Sequence, residues 1–351
     1  MRPHHGGGGR TSGAPAFGIE LWSSDAWREQ AVGWADRRLA DAGLERTGET
    51  TQPHPRPWGT VLKIPTVTGP AWLKAPGPGT VFEVALYELL GRVAPDWVLP
   101  PIAVDVERGW VLLPDGGTTL GDRLDEVDLT DALVTILPRY AQLQRDLVPH
   151  VDALLSFGIA DMRPAAMPAR FDEALDWVGR YVDDRGRDGD REILERAADH
   201  RDTFMGWCDR LRAGVVPASL DHNDLHPWNI FVAGDDGSEG RFYDWGDAVV
   251  SHPFASMLLG VGFIGLHLQV GQDDPRVLRA RDAYLEVFTD LAPHADLVEE
   301  LELACRAGKV ARALTWERSI REQGYDEAGD FARAPLESLD AMLDATWMGR
   351  T

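Results

Sequence analysis

Between residues 80 and 91 the chain reads TVFEVALYELLG, and Phe82, Ala85, Leu86, Leu89 and Leu90 recur three and four positions apart. That spacing gathers them on one helical face, with Gly91 where a C-terminal cap would stand. Upstream, TVLKIPT (60–66) and PAWLKA (70–75) are short apolar runs joined by a turn at Val67 to Gly69. They predict two strands. The stretch WVLPPIAVDVERGWVLLPDGG (97–117) predicts two more, closed by Gly116 and Gly117, whereas the Pro-rich TQPHPRPWG (51–59) reads as loop. Near the start, Ser23 or Ser24 caps a helix whose Ala26, Trp27, Val32, Trp34 and Leu39 share a face and which stops near Gly43.

After residue 118 the periodicity becomes helical, over 128–148, 169–182, 190–212, 255–270, 276–291 and 296–316. The exception is a pair of short apolar runs near 230–245. The expected fold class is α+β: a bilobal arrangement with a small β-rich N-lobe containing one key helix and a larger, mainly helical C-lobe. The expected organisation is a flexible tail at 1–18, an N-lobe at 19–113, a hinge at 114–117 and a C-lobe at 118–351. No internal repeat is visible. The longest apolar stretch, ASMLLGVGFIGLHLQV (255–270), is shorter than a spanning helix and carries His267 and Gln269, so it reads as a buried core helix.

Composition narrows the chemistry. The formal net charge of −22 makes nucleic acid a poor partner, although a cationic small molecule would be drawn to an acidic cleft. Cys208 and Cys305 have no C-x-x-C partner, so neither a disulfide framework nor a cysteine-rich metal site is expected, which fits a reducing cytoplasm. Lys occurs three times, at Lys63, Lys74 and Lys309, and Asn twice, at Asn223 and Asn229. In an Arg-rich chain a surviving Lys suggests a place for a compact point charge.

Both Asn residues fall in SLDHNDLHPWNIFVAGDDGSEGRFYDWGD (219–247). NIFVA and RFYDW predict a hairpin with GDDGSEG as its turn. Asn229 opens the first strand and Asp244 closes the second, so the two should meet at the open end, within about 5 Å between strands. An amide oxygen and a carboxylate there suit Mg²⁺, a hard cation that takes oxygen ligands. Asp224, in the loop entering the hairpin, reaches the same spot. His222-x-Asp224, then Asn229 and a later Asp, is the pattern of kinase phosphoryl transfer: the loop Asp accepts the hydroxyl proton while Asn and the second Asp hold the metal on the phosphates. His222 and His226 also form H-x-x-x-H, but Pro227 and Trp228 disfavour the helix that would align them on zinc.

Such chemistry needs a small-lobe lysine held by an acid. Lys74 ends a strand just before the 80–91 helix, with Lys63 as the alternative; Glu83 is favoured as its partner over Glu88, although Thr80-x-x-Glu83 also has capping-box spacing. No G-x-G-x-x-G or G-x-x-x-x-G-K-[ST] occurs, which disfavours Rossmann and P-loop binding. Gly59 and Thr60 in RPWGT would offer backbone N–H groups to ATP phosphates. Leu113 to Gly116, Asp115 included, would offer backbone groups to adenine.

Taken together, HNDLHPWN, FYDWGD and WLKA…FEVALYELL resemble the aminoglycoside phosphotransferase family, relatives of choline kinase with a protein-kinase-like fold. The likeness runs from about Trp58 to Pro253, and RALTWERSI (312–320) resembles a bacterial subgroup. The resemblance implies Asp224 as catalytic base, Asn229 and Asp244 as Mg²⁺ ligands, Lys74 as phosphate contact, Glu83 as its partner, and ATP between the lobes. The implied acceptor is a hydroxyl of an aminoglycoside, amino sugar or related polar metabolite. One departure is HPFASML, which lacks the acid that many members place there to support the catalytic loop. Another is AVVSHPF directly after Asp247, with no room for a long activation segment and no A-P-E, which favours a small acceptor over a protein. The competing expectation is a nucleotide-binding pseudokinase that senses or scaffolds. Oligomeric state and membrane association have no sequence signal.

Overall fold

Alternation along the N-terminal strands sets the first layer. The computed structural model describes residues 17–56, 58–234 and 239–348; most of the tail expected at 1–18, and part of the hairpin turn, lie outside them. Helices α1 (Ile19–Trp22) and α2 (Asp25–Asp41) lead in, with Ser24 Oγ accepting the Trp27 N–H at 3.3 Å. The chain then enters β1 (Thr51–Arg56), β2 (Gly59–Thr66) and β3 (Gly69–Pro76), continues through α3 (Phe82–Val93), and completes an antiparallel sheet with β4 (Ala103–Asp105) and β5 (Trp110–Leu113) in the order β1-β2-β3-β5-β4.

On β5, Trp110 and Leu112 face one core while Val111 and Leu113 face the other. The first core is built by Trp22, Trp27 and Trp34 from the leading helices, the two α2 tryptophans meeting Trp110 edge-on at 6.2 and 5.7 Å. The second receives α3 through Phe82, Leu86 and Leu90. Period-two side chains therefore place α2 and α3 on opposite faces of one sheet. Lys74 pairs across to Val61 and Val111, so it emerges on the α3 face.

Three details differ from expectation. The Pro-rich 51–56 segment is an edge strand, the position at which a strand tolerates prolines that cannot donate. Gly91 is not a cap; α3 runs on to Val93, with Ala94 N–H closing on Leu90. On α2, Ala26 is exposed, and Ala31 and Ala35 complete the buried stripe instead.

The C-terminal region is mainly helical. It begins with α4 (Leu129–Leu147), α5 (Val151–Ser156), β6 (Ala160–Asp161), α6 (Met167–Arg185), α7 (Asp190–Asp199) and α8 (Arg201–Ala213). The last two divide at His200 the single helix expected over 190–212. β7 (Ser219–Asp221), the hairpin β8 (Ile230–Ala233) and β9 (Glu239–Phe242), and β10 (Val249–Ser251) follow. β10 is antiparallel to β7 and parallel to β6. The apolar 255–270 stretch is broken into α9 (Met257–Gly260) and α10 (Gly262–Leu268); it is largely buried up to Gly265, but Leu266, His267 and Gln269 are exposed. Helices α11 (Pro275–Glu286), α12 (His294–Gln323), α13 (Tyr325–Ala328) and α14 (Ala334–Met342) complete the region. Among the described residues no helix is long and apolar enough to cross a membrane.

Candidate active site

The loop between β7 and β8 carries the first group. Asn223 holds a left-handed conformation (φ 58°), which Asn tolerates better than most residues. Its N–H donates to Asp221 Oδ1 at 2.8 Å, and its side-chain amide donates to Thr315 Oγ1 at 2.8 Å. Thus the loop is tied down on both sides of Asp224. Asp244, at the exit of β9, is also left-handed (φ 60°), and Gln269 is the third such non-glycine residue among those described. Two of three strained positions therefore flank one cleft, where such backbone tends to gather.

Asp224 is surrounded by donors. Arg312 Nη1 lies 3.0 Å from Oδ1, His226 Nε2 3.3 Å and Asn229 Nδ2 3.2 Å from Oδ2. Burial pushes this carboxyl up, but the His226 hydrogen bond and the Arg312 charge outweigh it and hold it well below the usual carboxylate range. His222 is fully buried against Trp245, rings 4.6 Å apart, with Nε2 2.9 Å from the Tyr243 carbonyl. It fastens the loop to the hairpin exit.

Across the cleft, Lys74 Nζ lies 2.7 Å from Glu83 Oε1 and 2.6 Å from Asp244 Oδ1. Glu83 is fully buried and also accepts the Trp245 N–H at 3.1 Å. Burial raises its carboxyl to about 7 against the pull of Lys74. The alternatives fall away: Lys63 sits over Trp72, its Nζ 5.2 Å from the ring centre, and Glu88 is exposed. The capping box is not made, since it is the Glu83 backbone N–H that reaches the Thr80 carbonyl while the carboxylate goes to Lys74.

The hairpin register, Ile230 opposite Phe242, extends through Tyr243 N–H to the Asn229 carbonyl at 3.2 Å. Residues 229 and 244 therefore adjoin at its open end. Asn229 turns its amide nitrogen onto Asp224, leaving its side-chain oxygen as the available donor atom. With the Asp244 oxygen that Lys74 does not engage, this makes an all-oxygen pair suited to a hard cation. Among the described residues no cluster of three or more His, Cys, Asp or Glu could hold a metal.

A cleft of about 580 Å³ is lined by Gly59, Thr60, Lys74, Glu83, Asp224, Asp244 and Asp247, and also by Trp58, Trp316, Ile320 and Phe331. Thr60 Oγ1 is engaged by Gln52 at 2.8 Å. Leu113 is buried in the sheet, Asp115 is exposed, and neither lines the cleft. The backbone at Gly116 passes against the Phe231 ring so closely that a Cβ would overlap it.

Sequence reasoning did not single out Arg312 and Arg318. Arg318 Nη2 holds Asp247 at 3.2 Å and the Gly246 carbonyl at 2.8 Å. The signal lay within RALTWERSI, where Arg312, Thr315, Trp316 and Ser319 repeat at helical spacing. Also unforeseen is Asp221. Ser256 Oγ donates to its Oδ1 at 2.6 Å and Ser251 Oγ to its Oδ2 at 3.2 Å. HPFASML thus offers a serine, and the supporting carboxylate comes from the strand below.

Residues 101–262 match the phosphotransferase enzyme family. No curated protein matches the chain. Among solved structures, an ethanolamine kinase from Plasmodium vivax aligns with a TM-score of 0.57 at 12% identity, covering 88% of this chain and 84% of that one. The GDP complex of aminoglycoside 2′-phosphotransferase-IIIa gives 0.53 at 14%, over 88% and 98%. The macrolide 2′-phosphotransferase of Brachybacterium faecium gives 0.51 at 16%, over 86% and 97%. At such identities the structures show a shared fold. The family match spans the 219–247 segment with its loop and hairpin, so over residues 101–262 this chain is similar to the phosphotransferase enzyme family, and it shares the fold of these solved kinases.

Proposed function

We propose that the protein transfers the γ-phosphoryl group of ATP to a hydroxyl of a small molecule, in a cleft between an N-lobe at 19–113 and a C-lobe at 118–351. One observation carries this reading: Lys74, Glu83, Asp224 and Asp244, from four separate parts of the sequence, converge on one cleft with the hairpin end that bears Asn229. Asp224 accepts the hydroxyl proton as the acceptor oxygen bonds to phosphorus and the bond to the ADP oxygen breaks. Held below the usual carboxylate range, it stays ionised, and Arg312 and Asn229 fix its direction.

Lys74, held by Glu83, contacts the α- and β-phosphates, and the backbone at Gly59 and Thr60 lies over them. Asn229 and Asp244 are the residues that would hold Mg²⁺, which when bound neutralises charge building between the β- and γ-phosphates. Related enzymes named for aminoglycosides, macrolides and ethanolamine support a small hydroxyl-bearing acceptor.

The test is Asp224→Asn, assayed by ADP release and by Mg-ATP binding. Binding should persist while turnover collapses. Turnover near wild type would remove Asp224 from this role. A pseudokinase would bind nucleotide and show no Asp224-dependent turnover with any acceptor.

A further inference from the structure

The carboxylates lining the cleft are already matched with cations. Asp224 has Arg312 at 3.0 Å, Asp247 has Arg318 at 3.2 Å, and Glu83 and Asp244 share Lys74. Of the charged side chains lining the cleft, Arg56 is the one with no partner among the described residues, and it is a cation. Despite a formal net charge of −22, each cleft carboxylate therefore already faces a cation that an arriving ammonium group would have to displace or share.

What it does offer is aromatic surface. Trp316 on α12 and Phe331 just past α13 stack with ring centres 5.6 Å apart and planes 12° from parallel. Phe331 is 65% exposed, high for a large apolar ring, and both line the cleft with Ile320 and Ala328. Arg312 joins this surface to the reacting end: its guanidinium is 5.7 Å from the Trp316 ring, and the same group grips Asp224. A stacked pair with one open face is a platform for a third flat group.

We propose that the acceptor is an alcohol bearing a flat apolar or aromatic face and no ammonium group, laid against Phe331 and Trp316 with its hydroxyl toward Asp224. This rests on the kinase reading above and departs from the cationic acceptor that net charge alone suggests. Ring stacking raises acceptor specificity, and acids that already face cations give a polycation less to bind.

The experiment compares three probes at fixed Mg-ATP: phenyl β-D-glucoside, methyl β-D-glucoside and the polycationic aminoglycoside kanamycin. ADP release gives kcat/KM, and quenching of tryptophan fluorescence gives binding where turnover is slow. The phenyl glucoside should exceed both others by about tenfold or more. Phe331→Ala should abolish that preference, Phe331→Tyr should retain it, and both should leave ADP affinity and Tm as in wild type. Preference for kanamycin, equal use of the two glucosides, or no saturable binding of the phenyl glucoside overturns the proposal. So does a Phe331→Ala protein with an unchanged preference or weakened ADP binding, the latter assigning the platform to the nucleotide. Asp224-dependent phosphorylation of kanamycin would sink this inference and leave the kinase reading standing. Failure to bind Mg-ATP would sink the kinase reading itself.

Discussion

Asp221 and Asp224 stand three residues apart and meet opposite surroundings. Asp221, 1% exposed on the floor beneath the catalytic loop, takes its hydrogen bonds from neutral donors: Ser256, Ser251 and the Asn223 N–H. Burial dominates, and its carboxyl is raised to about 6. Asp224, above it in the cleft with its side chain 25% exposed, also meets a desolvation that raises its carboxyl, yet His226 and Arg312 reverse the outcome. Depth alone does not set the charge state of these two acids. The identity of the donors does. A floor of hydroxyls supports the loop, and a rim of cations keeps the upper acid ionised, as the proposed proton acceptor must be.

The sharpest way to break this comparison is to neutralise each acid in turn. Asp224→Asn should lower kcat by about 10²–10⁴ with little change in Tm, because the proposed general base is lost and its shape kept. If calorimetry showed the cleft acid to be the structural one, the contrast would be reversed. Next in size is Lys74→Met. It leaves Glu83 buried with the Trp245 N–H as its remaining described donor and removes a phosphate contact, so turnover should fall by about 10² and ADP affinity should drop. Unchanged ADP affinity would separate Lys74 from the nucleotide.

The two acids were also unequally legible. Asp224 stands in a local pattern, with His222 before it, Asn229 five residues on and a strand pair whose turn residues could be read directly. Lys74 and Glu83 were legible for a similar reason, since a strand ending just before an amphipathic helix brings them together. The floor was not. Asp221 meets Ser251 and Ser256, and Ser256 in turn meets Tyr140 and Gln144, only through long-range packing, and nothing in its immediate sequence announces those partners. Arg312 was hidden likewise, 88 residues from the acid it holds. The prolines of β1 misled because a breaker of central strands is acceptable at an edge.

A smaller effect tests the floor by pH. The Asp221 carboxyl is raised from an ordinary 3.8 to about 6, so between those values the folded protein holds a proton that the unfolded chain releases. Stability from this group is fully present below about pH 4 and is lost as pH rises toward 6, on the order of 3 kcal/mol. Asp221→Asn removes that dependence. Urea unfolding at pH 4.5 and 7.5 should show the variant gaining on wild type at the higher pH. A constant difference between the two would mean that Asp221 is ionised in the fold.

Ser256→Ala gives the finest division between support and chemistry. Ser256 Oγ lies 2.6 Å from Asp221 Oδ1, 2.8 Å from Tyr140 Oη and 3.2 Å from Gln144 Nε2, and the Tyr140 hydroxyl in turn accepts the His222 N–H at 3.0 Å. Deleting one hydroxyl leaves Asp221 short of a donor, at a cost of about 1–3 kcal/mol. Asp221 still accepts the Asn223 N–H, so the loop keeps its path but loosens. The expected outcome is a Tm lower by several degrees, kcat reduced a few-fold, and KM for ATP unchanged, since Ser256 touches neither Lys74 nor the cleft. A variant with wild-type kcat and a lowered Tm would confine the floor to stability. A variant as slow as Asp224→Asn would mean that floor and rim act as one unit, and the contrast between the two acids would then describe a single device.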